Sequence, residues 1–101
     1  MKIALSERVE TELARHLAIG IEKFGHLVAE RTFRRVGRFL FETLAAYPRI
    51  GTYRSEHQVH EMVIPRTPFI VFYRIDTTAD TLTVVAIFHY AQDREAEWGK
   101  R

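Results

Sequence analysis

The 101-residue chain predicts an α+β domain of order β-α-α-β-β-β, a helical hairpin packed on one face of a small antiparallel sheet. Two observations carry this expectation. Phe69, Ile70, Val71, Phe72 and Tyr73 form one apolar run, and Leu82, Val84, Val85, Ala86, Ile87 and Phe88 form another. Both are rich in the β-branched and aromatic residues that suit a pleated surface, so they read as buried strands. Ahead of them, two stretches repeat apolar residues at helical spacing with only a few residues between them, the pattern of an antiparallel helix pair. A chain of this length buries roughly 60 to 70% of the surface its unfolded form exposes and has no room for a second core. Residues 1–101 are therefore read as a single domain with one site or one interface.

Taken in order, Lys2 to Leu5 is a short apolar entry able to add one strand to the sheet. Ser6 then reads as an N-cap, with Glu7 and Glu10 in the first turn where they favour the helix dipole. Val9, Leu13, Leu17, Ile21 and Phe24 make the apolar stripe of helix one, and Gly25 is its stop. Gly20 inside this pattern costs about 1 kcal/mol relative to Ala, which points to close packing or a bend. The second helix is expected from about Leu27 to Ala46, ended by Tyr47-Pro48. Val28, Thr32, Val36, Phe39, Leu40, Thr43, Leu44 and Tyr47 lie on or near its apolar face, with Gly37 at the expected closest approach to helix one. Its opposite face carries Arg31, Arg34, Arg35 and Arg38, flanked by Glu30 and Glu42, and reads either as a solvated face or as a binding surface. Arg49 to Gln58 is polar, contains Gly51 and has no clear period, so it is expected to be a mobile loop from helix to sheet.

Val59 to Arg94 is expected to form a three-stranded antiparallel meander. Pro65 and Pro68 bracket one turn and Asp76 to Asp80 supplies the next, both short enough for hairpins. After Asp93 the chain becomes charged, and Trp98 is its one large apolar residue there, either folded back on the body or held for a partner.

Composition narrows the function classes. The chain is 47% hydrophobic and 28% charged with no cysteine, so it is globular rather than disordered and holds neither a disulfide nor a thiolate zinc site. No apolar run approaches the about 20 residues of a membrane span, and the N-terminus lacks the regions of a signal peptide, so a cytoplasmic protein without membrane contact is expected. A net charge of +2 with clustered arginines leaves nucleic acid, an acidic protein segment and simple solubility open. His57, His60 and Glu61 form a polar cluster without the spacing of a metal motif, so no metal is expected. Glycine phosphate loops, nucleophile elbows and nucleophilic cysteines are all missing, and no cofactor is expected.

Three features then occur in a specific order: Pro48 and Gly51 after the helical pair, Tyr73-Arg74-Ile75 closing the central strand, and His89-Tyr90-Ala91-Gln92-Asp93 after the last strand. In order and spacing over nearly the whole chain they resemble the RelE/ParE superfamily of bacterial toxins. The ParE branch is favoured, where the central strand ends apolar-Tyr-Arg-apolar and the last strand runs into His-x-Ala-Arg-Asp. Gln92 stands where that pattern has Arg, and His60 where an arginine is common.

The resemblance implies a type II toxin neutralised by a cognate antitoxin with a ribbon-helix-helix DNA-binding head, through which alone DNA is contacted. The antitoxin's tail is expected on Arg31, Arg34, Arg35 and Arg38. In the ParE-like reading the toxin binds and inhibits DNA gyrase, with Arg74, Arg94 and Trp98 as target-binding candidates. The alternative is a RelE- or YoeB-like ribosome-dependent endoribonuclease using His89 and Tyr90 to move protons. RNA cleavage needs cations at the scissile phosphate. The positions that hold them in RelE-like nucleases align with Ile70, Glu61, Val63 and Gln92 here, which favours a binding inhibitor. A toxin relic kept only as a binding partner is the third possibility.

Overall fold

A computed structural model describes residues 1–99, and in it the expected layout is realised with two additions. Strand β1 (Lys2–Leu5) leads into helix α1 (Glu7–Phe24) and helix α2 (His26–Arg38), which continues through a π-helical turn (Phe39–Thr43) into α3 (Leu44–Ala46). Strands β2 (Thr52–Arg54), β3 (Val59–Val63), β4 (Phe69–Asp76) and β5 (Thr81–His89) follow, and helix α4 (Arg94–Gly99) ends the described chain. The sheet order is β1-β5-β4-β3-β2. The β3, β4 and β5 meander is antiparallel as expected, while β1 joins the far edge parallel to β5.

The caps act as the sequence indicates. Ser6 Oγ accepts a hydrogen bond from the Val9 amide at 3.2 Å, and Gly25, at φ 86°, donates its amide to the Ile21 carbonyl at 2.8 Å. That left-handed φ suits glycine. Gly25 also starts α2 by accepting from the Ala29 amide, so one residue makes the whole reversal. The helices approach at Gly20 rather than at Gly37. A Cβ built on Gly20 meets Ala29 Cβ at 3.5 Å, whereas one on Gly37 meets nothing within 4 Å.

The polar stretch 49–58 corrects the expectation of a loop throughout, because Thr52–Arg54 pairs with Val59–Glu61 as a fifth strand. Polarity misled here because β2 is an exposed edge strand: all three of its residues are exposed, so it shows no apolar alternation. What holds it lies outside its own sequence. The Gly51 amide donates to the Tyr73 hydroxyl at 2.9 Å, and Arg54 pairs with Glu61 at 2.7 Å.

The core has two layers. Val9, Val36, Phe39, Leu40 and Leu44 from the helices pack on Phe69, Val71, Tyr73, Leu82, Val84 and Ile87. On the other face Val59, Ile70, Phe72, Ala86 and Phe88 form a second cluster, covered in part by Trp98. Two irregularities make these layers fit. In the π turn the Leu44 amide bonds the Phe39 carbonyl, five residues back, which turns Phe39, Leu40 and Leu44 together onto the sheet. On β5 the pairing slips between Phe72/Ala86 and Tyr73/Val84, leaving Val85 as a bulge. Strict alternation from Leu82 and Val84 would leave Ile87 on the wrong face. The extra residue restores it to the helix side.

Candidate functional site: the open face of the sheet and its C-terminal helix

The site is built where β3, β4 and the end of β5 meet α4, on the face away from the helical hairpin. Strand alternation points Glu61 onto this face, and its carboxylate is held between Arg54 and Arg94. The Arg94 pair ties the first residue of α4 to the middle of the sheet. Asp93 caps the same helix, its Oδ1 accepting from the Glu95 amide at 3.1 Å and the Ala96 amide at 3.3 Å. Four residues after Arg94, Trp98 stacks on the His57 ring at 4.5 Å and meets Phe72 and Phe88 edge-on at 5.2 and 5.7 Å. It folds back on the body, and α4 becomes a cover over the second core cluster.

Beside this cover is a groove of about 570 Å³ lined by Arg54 and Arg94 and by Glu56, Glu61, Asp93 and Glu95. Among the described residues four acids face two arginines, and both arginines already share the Glu61 carboxylate. By formal charge the described lining is acid-weighted.

Arg74 is exposed but anchored, donating to the carbonyls of His57 at 3.0 Å and Gln58 at 3.3 Å. Trp98 and Arg74 thus converge on His57 from two sides, and Arg94 reaches the same groove through Glu61. The structure brings these three sequence-derived residues into one neighbourhood. Lys100 and Arg101, which complete the charged C-terminal segment, lie outside the described residues.

The basic stripe of α2 lies on the other side of the molecule. Arg31, Arg34 and Arg38 are exposed, Arg38 pairs with Glu42 at 3.5 Å, and Arg35 bonds the Arg66 carbonyl at 3.4 Å. Near it, and not foreseen, is an apolar cleft of about 460 Å³ bounded by Ile19, Phe24, Val28, Phe33 and Phe69, with Lys23, His16 and His89 as its basic members. Phe24 at 67% exposure and Val28 at 46% were assigned to buried stripes. Both lie beside the reversal at Gly25, where they line the cleft and not the core, and the neighbouring exposed Leu27 was the signal available.

His89 is built into the turn after β5. Its Nδ1 accepts from the Ala91 amide at 3.0 Å, its own amide donates to Gln92 Oε1 at 2.7 Å, and its ring stands edge-on to Phe69 at 5.7 Å. Tyr90 is exposed, its ring 5.1 Å from His89. Gln92 spends its side-chain oxygen on the turn, Ile70 is buried in the second cluster, and Val63 is exposed at the sheet margin.

His60 lies flat on Tyr73 at 5.3 Å, and its pKa is lowered by burial first and by Arg49 second. Burial raises the Tyr73 pKa, opposed by the hydrogen bond from Gly51. Among the described residues no group of three or more His, Asp or Glu gathers where a metal ion could be held. Nor is any helix of the described residues long and apolar enough to cross a membrane.

A family model described as ParE toxin of type II toxin-antitoxin system, parDE, matches residues 3–94. The chain belongs to the ParE toxin family. Comparison with curated proteins finds no match. The ParE family match runs from the second residue of β1 to the first residue of α4, so the helical hairpin and the groove residues up to Arg94 lie inside it, while Glu95 and Trp98 lie beyond it. Membership also implies an antitoxin partner in a type II system.

Proposed function

We propose that this ParE-family toxin acts in the cytoplasm by binding and inhibiting DNA gyrase, not by cutting RNA. The observation that carries the choice of mechanism is the acid-weighted groove on the open face of the sheet. A ribonuclease of the wider superfamily needs cations around the scissile phosphate on this face, to stabilise charge as it develops. Here Glu56, Glu61, Asp93 and Glu95 outnumber Arg54 and Arg94, and the buried Ile70 offers no charge. A lining of this formal charge disfavours a phosphodiester. His89 is tied into the turn after β5 through its Nδ1 and its own amide. A binding inhibitor needs an exposed anchor instead, and Arg74, Arg94 and the half-buried Trp98 around His57 supply aromatic and arginine groups of the usual kind. Gyrase itself is inferred from the ParE family alone.

The antitoxin is proposed to carry a ribbon-helix-helix DNA-binding head, with an amphipathic, acidic tail that folds onto Arg31, Arg34, Arg35 and Arg38 and the apolar groups beside them. DNA is then contacted only through the antitoxin. The test is supercoiling by purified gyrase with the full-length protein, with protein cut back before Glu95, and with Arg74→Glu, each checked for native circular dichroism. Inhibition by the full-length protein that weakens in both variants is expected. No inhibition at micromolar excess sinks the gyrase assignment, and equal inhibition by all three clears Arg74 and the C-terminal segment of a role. Codon-specific cleavage of mRNA in translating ribosomes, abolished by His89→Ala, would establish the endoribonuclease reading instead.

A further inference from the structure

The two edges of the sheet are finished differently. At β1, Lys2 is exposed, Ile3 and Leu5 pack against the helix-side core, and the Met1 amine donates to the Ala45 carbonyl of α3 at 3.3 Å. A lysine and a covering helix are usual protections of an edge. β2 has neither. Its residues Thr52, Tyr53 and Arg54 are all exposed, none of them belongs to either core cluster, and Arg54 turns its charge back onto Glu61 at 2.7 Å. As the last strand in the sheet order, β2 has no strand on its outer side among the described residues.

A row of rings runs out to this edge. Tyr73, His60 and Tyr53 stand opposite one another across β4, β3 and β2. His60 stacks on Tyr73 at 5.3 Å, and Tyr53 meets His60 edge-on at 5.3 Å. Exposure rises along the row, from the buried Tyr73 through the half-buried His60 to the exposed Tyr53. Just before β2 in the chain, Tyr47 and Ile50 are exposed as well. The row thus ends in solvent, and an added strand continues it by setting an aromatic residue opposite Tyr53.

We propose that the added strand comes from a second copy of this chain: two β2 strands pair antiparallel about a two-fold axis at Tyr53, joining the two sheets edge to edge. Two identical edges related by a two-fold axis set residue i against j and j against i, which requires an antiparallel pair. Opposite residues in such a pair share a face, so the axis passes through a residue and not between two. Three registers then remain for the three residues of β2. An axis at Arg54 sets two guanidiniums directly opposite, which is repulsive, and one at Thr52 sets Tyr53 against Gly51, where its ring finds no side chain. An axis at Tyr53 pairs the whole strand. Tyr53 then meets its own counterpart and the row of rings continues into the second copy, while each Arg54 faces an uncharged Thr52. No like charges meet along the paired strands, so the edge is its own complement in register and in charge. The inference does not depend on what the toxin inhibits.

The chain has no cysteine, so one introduced at the axis reports the contact. Opposite residues of an antiparallel pair have Cα atoms about 4.5 to 5.5 Å apart, inside the span that a disulfide bridges. Under mild oxidation Tyr53→Cys is expected to form a covalent dimer about tenfold faster than Thr78→Cys, placed in the exposed turn between β4 and β5. Sedimentation velocity of the full-length protein from about 10 µM to about 1 mM is expected to show a monomer–dimer equilibrium, since a contact this small is weak. Tyr53→Lys sets two ammonium groups opposite each other and is expected to raise the dissociation constant about tenfold or more with native circular dichroism. A full-length protein that stays monomeric over this range overturns the proposal and leaves β2 to an extended segment of another protein. A dimer that Tyr53→Lys does not weaken also overturns it and places the contact on another face. Should Tyr53→Lys fail to fold, equal cross-linking of Tyr53→Cys and Thr78→Cys overturns it instead.

Discussion

At the scale of single residues, Gly51 illustrates how one position joins distant parts of the chain. Its amide meets the Tyr73 hydroxyl, and a Cβ there would lie 2.8 Å from that oxygen and 2.9 Å from the Glu61 carbonyl. Neither neighbour is a flexible tip, since Tyr73 is fully buried and Glu61 is part of the β3 backbone. Gly51→Ala must therefore push β2 off the sheet or move Tyr73, and a loss of about 1 to 3 kcal/mol is expected in urea unfolding. Tyr73→Phe removes only the acceptor, for about 1 kcal/mol. A Gly51→Ala midpoint equal to that of the parent would show that β2 closes without this contact. The sequence marked Gly51 as a loop residue and as part of the family pattern but not its close approach, which depends on a tyrosine 22 positions away.

At the scale of elements, α2 presents two surfaces with different demands. Its inner face is satisfied by the sheet through Val36, Phe39 and Leu40, aided by the π turn. Its outer face leaves Arg31 and Arg34 exposed, while Arg35 and Arg38 hold only exposed contacts, which are weak in water. Reversing charge at Arg31, Arg35 and Arg38 together should therefore change stability little. Binding of an acidic antitoxin tail should weaken by at least tenfold, read by titration calorimetry at low and high salt. Unchanged affinity moves the antitoxin interface off this stripe. Helix α4 is the contrasting case. Six residues are too few to be helical alone, so the helix exists because Asp93 caps it, Arg94 ties it to Glu61 and Trp98 buries itself.

For the whole molecule, pH dependence follows from where the titrating groups sit. His16 and His60 both have pKa values lowered from 6.5, by burial first and by Arg15 and Arg49 next. The folded state thus binds these protons less readily than the unfolded chain does. Their contribution to stability is complete above 6.5 and declines as pH falls through the lowered folded values. Tyr73 acts at the other end. Its pKa is raised from 10.0, so stability declines as pH rises past that value. The urea midpoint should accordingly be flat near neutrality and fall on both sides, and His16→Gln should lessen the acid decline. An acid limb of the same depth in that variant would assign the decline to other groups.

What the sequence alone determined was the local part: two amphipathic helices, their caps at Ser6 and Gly25, the meander with its two turns, and the family to which the ordered motifs point. Periodicity and turn chemistry act over a few residues, so they are visible in a linear string. The tertiary structure decided the rest. β2 is a strand because Tyr73 and Glu61 hold it there, although its own residues read as loop. Val85 is a bulge because the two faces of β5 must serve two cores, a requirement imposed from across the sheet. Phe24 and Val28, beside the reversal at Gly25, line an open cleft and not the core, which no helical period can show. The acid-weighted groove exists only because Glu61, Glu56 and the start of α4 are brought together from separate segments, 33 residues apart between Glu61 and Arg94. Electrostatic potential depends on distance in space, and that distance is set by the fold.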